Sequence, residues 1–158
     1  MRYLNKTALI LLSLFILGTS ALADKASVST VGQCADSAKD VADVSVLTAP
    51  TGKYLVLGIA NAKGQRAVFT VTKNEVDKII DLGGKAANDK ETMKPGDKKL
   101  YGAVPGTEGH LSFMRVVSMG KTQSAMVIKS QDFLAVFLLT PQSWGQLQPL
   151  IRLGQRKL

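Results

Sequence analysis

The chain of 158 residues carries one cysteine, Cys34, and one histidine, His110. They are the only residues that could form a thiolate–imidazole pair, in which a base takes the thiol proton and leaves a nucleophile. One Cys and one His cannot build a Cys/His zinc cage, and no metal or other cofactor is expected. A single Cys also excludes an intramolecular disulfide. The lone thiol has three readings: a small buried hydrophobe, half of an intermolecular disulfide, or a reactive group. Other reagents are sparse. There is no GxSxG elbow, no Walker A loop and no HExxH helix. Asp89 and Glu91 lie together in a polar stretch and do not make an acid/base dyad. The inventory leans away from catalysis, with Cys34 and His110 as the only catalytic candidates.

One stretch has a more specific look. Lys94-Pro95-Gly96-Asp97 precedes Leu100-Tyr101, and Gly109-His110-Leu111-Ser112-Phe113 follows. This is similar to papain-like cell-wall endopeptidases, where a Pro-Gly-Asp turn precedes a strand and Gly-His begins the next strand. The resemblance covers about 20 residues. It implies His110 as the base and Cys34 as the nucleophile of a cell-wall hydrolase. The context Gly32-Gln33-Cys34-Ala35-Asp36 departs from that family's Asp-Cys-Ser. The segment between Cys34 and the turn is also longer and richer in strands.

Charge is unevenly placed. The chain has 20 Lys and Arg against 12 Asp and Glu, a formal net charge of +8. From residue 24 to 109 there are 12 basic and 11 acidic residues; from 110 to 158 there are 6 and 1. A basic C-terminal third suits an anionic partner, whereas a merely solvated face would need no shared direction. The candidate partner surface is Arg115, Lys121, Lys129, Arg152, Arg156 and Lys157, facing an unknown protein or an anionic envelope component. Aromatic residues make up only 6% of the chain, and no basic patch is interleaved with them. Single-stranded nucleic acid needs such stacking platforms, so a nucleic-acid partner is not expected.

The N-terminus reads as an address. Arg2 and Lys6 precede an uncharged run from Thr7 to Gly18, and Ala21-Leu22-Ala23 places small residues where a signal peptidase reads. The apolar run is shorter than the roughly 20 residues of a membrane span. A signal peptide over 1–23, a periplasmic or secreted protein, and one α+β domain over 24–158 are expected.

Several elements must position these residues. Residues 24 to 33 read as a loose polar start, and Ala35 to Val44 as a short helix. Tyr54–Ala60 and Arg66–Val71 read as a hairpin. Thr72 to Glu75 reads as a capping box opening a helix, which Gly83-Gly84 should end. Residues 85 to 109, with two prolines and many charges, read as a long loop with a short strand near Leu100. His110–Ser118, Ala125–Lys129 and Phe133–Leu139 read as strands. Thr140-Pro141 then opens a second helix, which Pro149 should kink or end, leaving a basic tail. Arg115 falls in phase with Leu111, Phe113 and Val117, a charge inside an apolar stripe.

Two stretches match: Ala67-Val68-Phe69-Thr70-Val71-Thr72 and Ala135-Val136-Phe137-Leu138-Leu139-Thr140. Val76 and Trp144, and Leu82 and Leu150, then fall at equal offsets. The reading is a mainly antiparallel α+β fold made of a tandem βββα repeat over 44–84 and 110–152, with two helices packing on the sheet. That order resembles, at the level of fold, the whirly and PUR-type domains, which bind single-stranded nucleic acid. The resemblance implies the antiparallel fold and carries no signature residue for that ligand. Tyr54–Ala60 and Phe133–Leu139 are apolar on both faces and need cover on both. The helices cover one; a second sheet, a second copy of the chain or an apolar ligand must meet the other. The sequence as a whole suggests an exported, non-catalytic binding or interaction protein. The alternatives are the Cys/His hydrolase and a carrier of lipid or another hydrophobic ligand.

Overall fold

The computed structural model describes residues 26–130 and 133–158. The expected leader over 1–23 lies outside the described residues. The order is β1 (Ser27–Ala35), β2 (Val41–Ala49), β3 (Gly52–Ala60), β4 (Arg66–Val71), α1 (Lys73–Asn88), β5 (Lys98–Pro105), β6 (His110–Ser118), β7 (Lys121–Lys129), β8 (Leu134–Leu139) and α2 (Pro141–Gln155). Each set of four strands is an antiparallel meander in its own sheet. The fold is α+β, with four strands per unit where the sequence suggested three. The extra strand in each unit is the first.

Those two first strands explain most of the differences from expectation. The stretch to residue 33 looks loose because β1 is a sheet edge with no fully buried side chain. No helix forms after Ala35. The Asp36 carboxylate instead accepts the Ala38 and Asp40 backbone N–H groups at 2.8 and 3.0 Å, and so shapes a turn into β2. The same carboxylate accepts the Leu138 N–H at 2.7 Å, which ties that turn to β8. Within 85–109, α1 occupies the start and β5 the centre. Both β1 and β5 carry a register shift, next to Gly32 and Gly102 respectively.

The helices are exchanged. The helix α1 follows the first sheet but packs chiefly on β5, β6 and β7; α2 follows the second sheet and packs chiefly on β1 and β2. Glycines make these approaches. A Cβ on Gly32 would lie 2.7 Å from Leu150, and one on Gly102 would lie 3.0 Å from Leu82. Leu82 and Leu150 are the pair that the repeat placed at equal offsets. The inner faces match as well. Val44, Leu57 and Phe69 run across the first sheet in hydrogen-bonded register, and Phe113, Met126 and Phe137 run across the second. All six are buried in one continuous apolar core. Full burial stabilises each of the larger side chains by roughly 1.5–3 kcal/mol.

Two of the edge strands, β4 and β8, are each met by a turn of the other unit. Thr70 on β4 donates its N–H to Glu108 and accepts the Thr107 N–H, both in the β5–β6 turn. Its counterpart on β8, Leu138, is held by Asp36 in the β1–β2 turn.

Three helix signals have other roles than expected. Gly83-Gly84 does not stop α1, which runs to Asn88. A Cβ on Gly83 would come within 2.2 Å of the Trp144 ring, so this glycine admits the indole between the helices. That ring also meets Phe113 edge-on, with centroids 6.5 Å apart. Pro149 does not end α2, which continues to Gln155 and absorbs much of the expected tail. Pro149 and Gly145, four residues earlier, are both exposed. Water can satisfy the carbonyl that Pro149 leaves without a donor, while buried Leu147 and Ile151 hold the helix down. Thr72 forms no backbone cap; its hydroxyl donates to the Glu75 carboxylate. Thr140 and Ser143 do form a full capping box, with Pro141 in the first turn.

Adding a methyl at Gly83 should destabilise the protein by about 2 kcal/mol through overpacking against Trp144. At Gly84, where a Cβ meets only an ordinary 3.7 Å contact, Ala should stabilise by up to about 1 kcal/mol through helix propensity. Urea denaturation midpoints of Gly83→Ala and Gly84→Ala should move in opposite directions.

Candidate functional site

Cys34 and His110 are not brought together. Cys34 lies on the edge strand β1, paired with Ala42, and packs half-buried against the core from the inner face. His110 is exposed at the start of β6, between Pro105 and Lys129, and faces outward from the other sheet. Burial, and secondarily the Asp36 carboxylate, push the Cys34 thiol up to about 11. An activated nucleophile needs the opposite shift.

The six basic residues of the expected partner surface divide among three places. Arg115 points inward, as its phase with Phe113 requires. Its Nε and Nη2 donate to the Glu91 carbonyl at 3.2 and 3.0 Å, and its Nη1 donates to Ser124 Oγ at 2.9 Å. It therefore ties down the segment between α1 and β5. Arg152 and Gln155 on α2 meet Asp77 on α1, and both hydrogen bonds hold the Asp77 carboxyl below the usual carboxylate range. Arg156 and Lys157 follow at the end of α2, where the Lys157 carbonyl accepts Lys53 Nζ at 3.1 Å. Lys121 and Lys129 lie on the outer face of the second sheet.

A polar cluster accompanies the Arg115 tie. Lys99 Nζ donates to Asp89 and Glu91, each at 2.6 Å, and Tyr101 Oη donates to the same Asp89 oxygen. Lys99 foremost, then Tyr101, hold the Asp89 carboxyl far below its usual range. Burial, then Asp89, push Tyr101 up to about 12. A cleft of about 490 Å³ beside it is lined by Glu91–Lys94 and Asp97–Lys99. Asp89, Glu91 and Lys99 each have a partner within the chain, so the cluster anchors the segment.

The outer face of the second sheet differs. In register, Leu100, Met114, Ala125 and Leu138 form one row, and Ala103, Ser112, Val127 and Val136 the next. Leu100 is 65% exposed, Leu134 53% and Val136 37%. Lys98 and Lys121 lie at one end of these rows; Lys129 and His110 lie at the other. Strands β5 to β8 contain five Lys or Arg and no Asp or Glu. The one acidic residue after Gly109, Asp132, lies outside the described residues.

The first sheet is an internal comparison. At the matching positions it carries Thr30, Ser45, Val56 and Thr70 in one row, and Gln33, Asp43, Gly58 and Val68 in the next. Arg66 reaches over Gly58 to pair with Asp43 at 2.7 Å. A Cβ on Gly58 would lie 2.3 Å from that guanidinium. At the second sheet the ion pair is replaced by Ser112 and Leu134, and Gly58 by Val127. The end row changes in the other direction: Val28, Leu47 and Tyr54 give way to Lys98, Val116 and Gln123. One sheet thus has a polar, ion-paired centre, and the other an apolar centre with cationic ends. The unalternating sequence of β8 signalled half of this surface. The β5 half was hidden among the charges and prolines of 85–109.

No family model matches the chain, and no curated protein shows significant sequence similarity to it. Among the described residues, no helix is long and apolar enough to cross a membrane.

Iodoacetamide at pH 8 should modify Cys34 far more slowly than a free thiol, because the raised pKa leaves on the order of a hundredfold less thiolate. The rate should climb only as pH rises towards about 11. Mass spectrometry of timed samples reads this; fast labelling at neutral pH would restore a thiolate role.

Proposed function

We propose that this chain is an exported, non-catalytic binding module whose contact surface is the outer face of the second sheet. One observation carries the reading: two equivalent sheets share the same inner face and differ in the outer one. Where the first sheet carries Thr30, Ser45, Thr70 and an Asp43–Arg66 pair, the second carries Leu100, Met114, Val136 and Leu138. Inner packing does not require that difference, since outward side chains leave the core unchanged. Exposed apolar area rimmed by polar residues is characteristic of interaction surfaces. Export is proposed from the charged, apolar and small-residue order of residues 1–23.

The catalytic alternative gains nothing from the geometry, since Cys34 and His110 face different ways on different sheets. The expected patch narrows to Lys121 and Lys129, joined by Lys98. The other cations of the original six brace the fold or lie near the end of α2.

A photoreactive amino acid at Val136 in the full-length protein, produced in cells that export it, should give crosslinked adducts. The same probe at Val68, its equivalent on the first sheet, should give few. Equal adduct formation at the two positions, or none at Val136, would remove the second sheet as the contact surface.

A further inference from the structure

We infer that the occupant of this outer face is an anionic phospholipid bilayer surface, to which the second sheet docks with its β6–β7 turn inserted. The inference rests on the proposed contact surface and adds what covers it.

The arrangement of charge selects the partner. Lys121 and Lys129 stand eight residues apart on β7, roughly 26 Å along an extended strand. The apolar rows lie between them. A second copy of the chain stacked on this face would oppose Lys121 and Lys129 with the same cations, and β5 to β8 hold no carboxylate themselves; Asp97 and Glu108 lie outside the strands, before β5 and in the β5–β6 turn. A bilayer offers anionic headgroups to both ends at once and apolar chains beneath the centre. Lysine stems can lie along apolar surface while their ammonium groups reach the headgroups.

The turn supplies a separate observation. Ser118 pairs with Lys121, so Met119 and Gly120 are the two central residues of a tight hairpin. Both have positive φ, 50° and 73°. Such turns favour Asn-Gly, because a bulky L-residue is strained there. Met119 nevertheless occupies the position and is fully exposed. It contributes no packing to the fold, and it stands beside Lys121 at the cationic end of the face. A flexible apolar side chain next to a lysine suits insertion just below a headgroup layer.

The test is co-sedimentation of the full-length protein with phosphatidylcholine vesicles, with and without phosphatidylglycerol. All variants carry the same N-terminal segment, so its contribution is common to every comparison. The protein should sediment with the anionic vesicles, and less so as salt is raised. Lys121→Glu and Lys129→Glu should each weaken binding at least about fivefold, the loss expected per cation at an anionic surface. Met119→Asn should weaken it severalfold while unfolding no earlier in urea, so misfolding cannot account for the loss. Val136→Asp should weaken binding and Val68→Asp should not.

Failure of the wild-type protein to sediment with anionic vesicles overturns the lipid inference. Adducts at Val136 would then still support the contact surface. Sedimentation that Val136→Asp and Met119→Asn both leave unchanged overturns the lipid inference, and adducts at Val136 again decide the contact surface. Displacement of the vesicles by a single-stranded oligonucleotide that Met119→Asn and Val136→Asp bind like wild type would make this a general polyanion surface, and overturns the lipid inference alone.

Discussion

The fold depends on two close approaches, Leu150 on Gly32 and Leu82 on Gly102. Each places the helix of one unit on the first strand of the other. The reason is geometric. A four-stranded meander followed directly by a helix has one apolar inner face, and one helix must cover it. Here the covering helix comes from the partner unit, so neither half buries its own inner face alone. The glycines let helix and strand approach with no Cβ between them. Gly83 and Gly154 repeat the device, admitting the Trp144 ring and the Leu55 side chain. The edge contacts follow the same exchange. The β5–β6 turn closes the β4 edge, and the β1–β2 turn, through Asp36, closes the β8 edge.

Such interlocking constrains the two kinds of sheet face differently. Inner positions answer to a shared core, and they match: Ala67 with Ala135, Phe69 with Phe137, Ile59 with Ile128, all buried. Outer positions diverge, even where they are buried, as at Ser45 and Val56 of the first sheet and Ala125 and Val127 of the second. At one sheet Asp43 and Arg66 satisfy each other over Gly58. At the other, Ser112, Leu134 and Val127 stand in those places. The route from sequence to function therefore runs through the differences between the halves, because the similarities are consumed in holding the protein together.

Much of this was legible in the sequence. The β3–β4 hairpin, the strand running into a Thr-led helix, and the equal offsets of Leu82 and Leu150 were all visible, because periodicity and turn chemistry are local signals. The misread segments depend on distant partners. Gly83 looks like a stop until Trp144, about 60 positions later, is seen to fill its place. Asp36 looks like part of a helix until its carboxylate is seen to hold Leu138 as well as its own turn. β1 and β5 are edge strands, one polar and one rich in Gly, Pro and Lys, and edge strands carry weak apolar patterns. In the sequence Arg115 stands out as a charge within an apolar stripe. Its purpose, tying down the Glu91 carbonyl and Ser124, needed the fold. The charge asymmetry was real, but counts along a chain cannot tell an inward Arg115 from an outward Lys121.

An interlocked pair of halves should open together, since each inner face loses its cover when either helix leaves. Amide hydrogen exchange across a urea series tests this most directly, by following the central strands β2 and β3 of one sheet and β6 and β7 of the other. The slowest amides of both sheets should share one opening free energy and one urea dependence, equal to those of global unfolding. If one sheet exchanges through a lower-energy opening while the other stays protected, the halves are independent and the exchanged-helix account is wrong.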